Sequence, residues 1–332
     1  MTGRPVATGF AVAGLVGLGL LAVPAGAGAA PELPPVSPQE LVRSVLEARP
    51  GPFNGSVEAE NALGLPVLPG MPEAANGTST ARVWSGGEHK GRVQLPSPDG
   101  ERTLVSDGTT FWSWDSKTRE VVTGRADAHR DRQTAADPQT AAGELINRLS
   151  PSSTLSVDGT AEVAGRPAYE LVLAPQPTER TLLREVRIAV DAEKRMPLRL
   201  VVLANGSAEP ALQLGFSDVT FGPQDAKLFT FTPPPGSTMR NPPAPGPGVP
   251  GAPNVPTRTV GDGWDTVYVA QRTPGQQREG QPNLDKIGTP VRGAWGSGRL
   301  VTSAVGSVLI SDDGRVAAGA VPEQVLTEAL GR

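Results

Sequence analysis

Thr103-Leu104-Val105-Ser106-Asp107-Gly108-Thr109-Thr110-Phe111-Trp112-Ser113-Trp114-Asp115-Ser116-Lys117-Thr118-Arg119-Glu120-Val121-Val122-Thr123 is the stretch that decides the fold. Asp107-Gly108 supplies the positive φ that a tight hairpin turn needs, and its flanks are rich in β-branched and aromatic residues. Asp115-Ser116-Lys117 reads as a second short turn, so the stretch predicts three antiparallel strands in a row. Three aromatics on such a meander must enter a core or line a cavity. Phe111 and Trp112 are neighbours on one strand and therefore point to opposite faces.

Working outward, Ser37-Pro38-Gln39-Glu40 opens a helix, with Ser37 as cap, Pro38 at its first position and Glu40 placed for a capping box. Leu41, Val42, Val45 and Leu46 form its apolar stripe, and Pro50-Gly51 closes it. From Phe53 the period switches to two, with weak alternation over Val57 to Leu63, Thr80 to Trp84 and Arg92 to Leu95. A second helix follows Asp137-Pro138, with Ala141, Ala142, Leu145, Ile146 and Leu149 on one side, and Ser150-Pro151 stops it. Strands resume with Tyr169, Leu171 and Leu173 on one face, Val186, Ile188 and Val190 on another, and an apolar run from Leu198 to Leu203. Asn205-Gly206 turns the chain into Leu212, Leu214 and Phe216, and Phe229-Thr230-Phe231 ends the region. Many short strands with turn signals at this spacing argue an antiparallel sheet that curls, with a single helical layer on one face.

Pro233 to Arg258 is dense in Pro and Gly and reads as an extended linker. Beyond it lies a small module with strands at Thr266 to Ala270, Leu300 to Val305 and Val308 to Ile310. An Asp313-Gly314 turn follows, and a last helix comes after Val321-Pro322.

Composition narrows the chemistry. The chain has 332 residues, of which 38% are hydrophobic and 19% charged, and its formal net charge is −4. A sizeable core is possible, and there is no electrostatic case for nucleic acid. Cysteine is absent, which excludes disulfides and thiol catalysis. Arg4, the apolar run from Val6 to Val23 and the small residues Ala25 to Ala30 describe a secretory signal over residues 1–29, cleaved near Ala29. An uncleaved anchor is the other reading, since the run is long enough to span when stretched. Either way the rest lies outside the cytoplasm.

The two histidines, His89 and His129, sit in polar, turn-like surroundings without the partner spacing of a metal site. No G-x-S-x-G, S-x-x-K, phosphate-binding loop or dinucleotide fingerprint is present. The sequence therefore offers no catalytic residue, metal or cofactor. Asn54-Gly55-Ser56, Asn76-Gly77-Thr78 and Asn205-Gly206-Ser207 match glycosylation sequons and equally match turns, and turns are the preferred reading. What remains is an apolar sheet face that soluble proteins rarely leave open unless it binds something. Helices that fill the sheet as an ordinary core and helices that act as a displaceable lid are both compatible with the periodicity.

Val105 to Asp115, Val121-Val122-Thr123, the helix after Asp137-Pro138 and Phe229-Thr230-Phe231-Thr232-Pro233-Pro234 resemble, in this order, the LolA-type lipoprotein-carrier superfamily, over about Pro38 to Gly236. Gly261-Asp262-Gly263-Trp264-Asp265-Thr266-Val267-Tyr268-Val269 and Val316-Ala317-Ala318-Gly319-Ala320-Val321-Pro322 are similar to the C-terminal domain of the MucB/RseB branch. The resemblance implies an α+β fold: an unclosed antiparallel β-barrel with a helical lid, then a small C-terminal α/β domain after a Pro-rich linker. The implied division is signal peptide 1–29, half-barrel 30–236, linker 237–258 and small domain 259–332. It also implies an extracytoplasmic protein that binds a lipid or lipoprotein acyl chain, or a regulator that binds a membrane-anchored anti-sigma factor. The expected lipid site has Leu41, Val45, Leu145, Ile146 and Leu149 on the lid. On the sheet it has Val83, Val93, Phe111, Trp112 and Trp114, of which alternation admits only part.

Overall fold

The computed structural model describes residues 31–64, 77–87, 89–126, 138–240, 257–271 and 288–331. These fall in one compact unit, Pro31–Arg332. The expected signal segment, Asn76 and His129 lie outside the described residues.

Helix α1 covers Pro38–Glu47, and the Ser37 hydroxyl accepts from the Glu40 N–H at 3.2 Å, which is the expected cap. Strands β1 (Phe53–Asn61), β2 (Gly77–Gly87), β3 (Lys90–Ser97), β4 (Gly100–Asp107), β5 (Thr110–Asp115) and β6 (Glu120–Arg125) come next. The decisive stretch folds as read. Gly108 has φ 96°, and the Asp107 carboxylate accepts from the N–H groups of Thr109 and Thr110 at 2.8 and 2.7 Å. Helix α2 is Pro138–Leu149, and strands β7 (Ser153–Val163), β8 (Arg166–Pro175), β9 (Leu183–Asp191), β10 (Pro197–Ala204) and β11 (Pro210–Phe221) follow.

These strands and the short β12 (Thr238–Arg240) make one twelve-stranded sheet in the order β12-β6-β5-β4-β3-β2-β1-β11-β10-β9-β8-β7. The order does not return on itself, so the sheet is open, with β12 and β7 as its edges. The neighbours are antiparallel except β12, which runs parallel to β6. The molecule is thus mostly β, with few helices among the described residues.

Strands β13 (Thr257–Val260), β14 (Val267–Gln271), β15 (Thr289–Gly293), β16 (Gly296–Thr302), β17 (Ser307–Ser311) and β18 (Arg315–Gly319) form a second, six-stranded sheet. Helix α3 (Glu323–Gly331) buries Val325, Leu326, Ala329 and Leu330 against it, around Val267, Leu309 and Ala317.

Three local readings change. Asn54-Gly55-Ser56 is not a turn but lies inside β1. A Cβ on Gly55 would meet the Asp218 carbonyl at 2.4 Å, because β1 and β11 close on each other beside a bulge. Phe229 ends a 3-10 turn, Ala226–Phe229, after which the chain runs extended. The stretch read as linker is structured at both ends, as β12 and β13.

Candidate functional site

The ladders define one continuous sheet face. Reading across them, Leu171 lies opposite Ile188, Ile188 opposite Leu200, Leu200 opposite Leu214 and Leu214 opposite Ala59. On the next strands Ala81 lies opposite Val57, Val83 opposite both Gly55 and Val93, and Val93 opposite Leu104. Ser106 then faces Phe111, which carries the same side of the sheet to β5. This is the face on which the helices lie; it is apolar from β8 to β3, and on β4 and β5 it carries Leu104 and Phe111 beside Ser106 and Ser113.

The helices use only one part of it. Leu41 and Val45 of α1 and Ala142, Ile146 and Leu149 of α2 are buried in one cluster with Tyr169, Leu171, Leu173, Val186, Ile188, Val190, Leu200 and Val202, and Leu145 packs at its border. Leu41, Ile146, Leu171 and Ile188 are 0% exposed, so the space between helices and sheet is filled by side chains here. The second cluster holds Phe53, Val57, Ala81, Val83, Val93, Leu214 and Phe216 together with Val163, Ala168, Ala189, Met196 and Leu198, with Leu95 and Leu104 at its margin, and α2 reaches it through Ala141. Phe111 lies one strand further, 3% exposed.

The expected site residues therefore fall in three places. The lid set, Leu41, Val45, Leu145, Ile146 and Leu149, meets β7–β11. Val83, Val93 and Phe111 share the same face but lie beyond that cluster. Trp112 and Trp114 belong to the opposite face, since they pair with Val105 and Thr103 rather than with Leu104 and Ser106.

A strap covers that outer face. After β11 the chain crosses β2, β3 and β4, and the Phe229 ring occupies the place where a Cβ on Gly86 would sit, with its nearest atom at 2.6 Å. The Arg92 guanidinium donates to the Leu228 carbonyl at 3.4 Å. Phe231 packs on Trp112 with ring centroids 6.3 Å apart. Arg119 donates to the Pro235 carbonyl, and β12 then lies along the sheet edge. Val105 and Val121, both 0% exposed, and Trp114 are buried on this outer side. Trp112 thus anchors the strap, Trp114 is buried on the same side, and neither lies on the face that the helices cover.

The second sheet is seated at the helix-covered end. Trp264, 2% exposed, enters the cluster of α1 and α2. Its indole N–H donates to the Ser153 hydroxyl at 2.8 Å, and its backbone N–H donates to the Glu179 carboxylate at 2.8 Å. Arg180 and Glu328 form a two-pronged ion pair at 2.9 Å, and the Leu182 N–H donates to the Ala320 carbonyl at 2.8 Å. A cavity of about 110 Å³ at this seam, lined by Arg180, Asp265, Val267 and Glu328, is far smaller than the roughly 300–1,000 Å³ of ordinary ligand pockets. Sequence reasoning missed Trp264, although a lone indole in a Gly/Asp turn is itself a signal of an anchored loop.

Among the described residues no group of three or more His, Asp or Glu is placed to hold a metal, and no helix is long and apolar enough to cross a membrane. His89 is exposed in the β2–β3 turn, at φ 66°.

No family model and no curated protein matches the chain. Solved structures do. One is the complex of Pseudomonas aeruginosa MucA and MucB, 18% identical, covering 87% of this chain and 94% of that one, with a TM-score of 0.46. A LolA-superfamily protein of Nitrosomonas europaea is 13% identical, covers 59% of this chain and 99% of its own, and has a TM-score of 0.29. The Mycobacterium tuberculosis lipoprotein LppX is 11% identical over 53% and 91%, with a TM-score of 0.31. The two groups that the sequence resembles, MucB and the LolA superfamily, are thus both among the matches. All three TM-scores lie below 0.5, and the functional reading rests on the site itself.

Proposed function

We propose that this chain is an extracytoplasmic, non-enzymatic carrier or sensor of lipid or lipoprotein acyl chains. In this reading the acyl chain lies on the concave face of β2–β5, against Val83, Val93, Leu104 and Phe111. The observation that carries it is the reach of the apolar side chains on this face: they continue to Phe111 on β5, whereas the helix cluster ends at β11, and since Val83, Val93 and Phe111 are only 3–8% exposed, a guest enters by displacing what buries them. Burying an acyl chain is worth about 0.8 kcal/mol per CH₂, so an ordinary fatty chain offers on the order of 10 kcal/mol before ordering costs. Leu41, Val45, Ile146 and Leu149 then pack the sheet from one side, and the strap packs on it through Trp112 from the other.

The same reading keeps residues 1–29 as a cleaved signal peptide, 30–236 as the lipid-binding body and 259–332 as a small module. A second reading, regulation through a membrane-anchored partner, draws on one observation. Trp264 ties the module to the helix cluster, so a change in the body reaches the module directly. Native mass spectrometry of the purified secreted form tests the main reading. Co-purified lipid, or saturable uptake of a fluorescent fatty acid, is the expected result; a lipid-free mass with no uptake would overturn it.

A further inference from the structure

The β9–β10 hairpin carries three consecutive residues of interest, Glu193, Lys194 and Arg195, and Arg166 of β8 lies beside them. The charges of this group are matched, with one exception. Arg166 pairs with the buried Asp191 and reaches Glu193 at 3.2 Å. Lys194 takes the other Glu193 oxygen at 2.8 Å. The second Asp191 oxygen accepts from the backbone N–H groups of Glu193 and Lys194. Every acid of the hairpin is therefore engaged without Arg195.

Arg195 itself is bound through its backbone, whose N–H donates to the Asp191 carbonyl at 3.1 Å. Its guanidinium lies over the Tyr169 ring, 5.0 Å from the centroid. Tyr169 is held in turn by its hydroxyl, which donates to the Pro34 carbonyl at 2.8 Å. One guanidinium nitrogen, Nη1, is buried and has no hydrogen-bond partner among the described residues. A buried charged donor without an acceptor is costly, and native structures seldom keep one without a use.

Its place in the fold says what that use is. Arg166 and Lys194 lie over the Phe221 ring, and Phe221 pairs with Phe53, Phe53 with Ser85, Ser85 with Gly91, Gly91 with Ser106 and Ser106 with Phe111. The hairpin thus lies at the same end of the strands as Phe111, with five strand pairings between Phe221 and Phe111. We propose that Arg195 holds an oxyanion, a carboxylate or phosphate, at this end. Guanidinium matches such groups with two parallel N–H donors, and the fixed Tyr169 ring sets its plane. This rests on the acyl-chain reading if the oxyanion is a lipid headgroup, and stands apart from it if the oxyanion is free.

The test uses the whole chain and three probes: cis-parinaric acid, its neutral methyl ester, and inorganic phosphate alone. Arg195→Gln is expected to weaken the acid about ten- to a hundredfold, the loss of one charged hydrogen-bonding contact, and to leave the ester unchanged. Arg195→Lys keeps the charge, should recover part of the acid affinity, and guards against a variant that misfolds. If the ester binds and the acid gains nothing from Arg195, the oxyanion proposal fails while the acyl-chain reading survives. If phosphate alone stabilises the parent chain but not Arg195→Gln, the oxyanion site stands and its natural occupant is a free anion. If none of the three probes shows dependence on Arg195, the proposal is overturned.

Discussion

The two halves of the large sheet are covered by different elements. Strands β7–β11 bury their inner face under α1 and α2 and turn an ion-paired face outward, with Arg199 on Glu170 at 2.7 Å and Arg187 between Glu185 and Asp158. Strands β2–β6 bury their outer face under the Phe229–Pro235 strap and turn Val83, Val93, Leu104 and Phe111 inward. A sheet needs one apolar face packed to be stable. The β7–β11 half meets it with its inner face under the helices; the β2–β6 half packs its outer face under the strap, and its inner residues Val83, Val93 and Phe111 are buried without belonging to the helix cluster. The difference teaches that the covering elements, and not hydrophobicity alone, separate core from candidate site.

The largest effect should come from removing the plug that completes the covered half. Trp264→Ala is expected to cost about 3–5 kcal/mol in chemical denaturation, since the indole is buried in the helix cluster and hydrogen-bonded to Ser153. A cost below about 1 kcal/mol would mean that the module merely leans on the body.

A matched pair sharpens the comparison. Val93 and Val202 are each 8% exposed, one in either half. Replacing either by Thr buries a hydroxyl and should lower stability by a similar amount, about 1–3 kcal/mol. Only Val93→Thr should lower fatty-acid affinity, by about tenfold, in fluorescence titration. Equal losses of affinity for both variants would erase the distinction between the halves.

The strap should matter less. Phe231→Ala removes the ring contact with Trp112, worth about 0.5–1.5 kcal/mol beyond the lost area, and a double-mutant cycle with Trp112→Ala should show that coupling. Fatty-acid affinity should stay unchanged, because the pair lies on the outer face.

The smallest effect belongs to the second sheet. Arg315 and the Ser311 hydroxyl hold the Asp313 carboxyl well below the usual carboxylate range. A depressed folded-state pKa stabilises fully above the unfolded value, and that stabilisation fades as the pH falls from the unfolded value through the folded one. Asp313→Asn should therefore lose a little stability at neutral pH and progressively less below pH about 4, on a carboxyl exposed enough to be largely screened. NMR titration should find Asp313 still ionised where ordinary carboxylates have taken up protons.

Much of this arrangement is legible in the sequence. The Ser37 cap, the Asp107-Gly108 turn and the stripe of Ala142, Ile146 and Leu149 are local signals, and each predicted its element. Alternation also shows that Phe111 and Trp112 oppose each other. It does not show which of them faces inward, because that depends on Phe231, which lies far along the chain from Trp112 and packs on it as a tertiary contact. The expected lid and sheet residues stand apart for the same reason: periodicity assigns a residue to a face, but the strand on which a helix lands is a tertiary choice. Arg195 gave no sequence signal at all, since a guanidinium nitrogen without a hydrogen-bond partner among the described residues is visible only when its neighbours' partners are known.

Photo-crosslinking with a diazirine-bearing fatty acid, followed by peptide mapping, tests the central claim most directly. The account predicts adducts on β2–β5, at Val83, Val93, Leu104 and Phe111. Adducts concentrated on α1, α2 and β7–β11, at residues such as Leu41, Ile146 and Leu200, would contradict it.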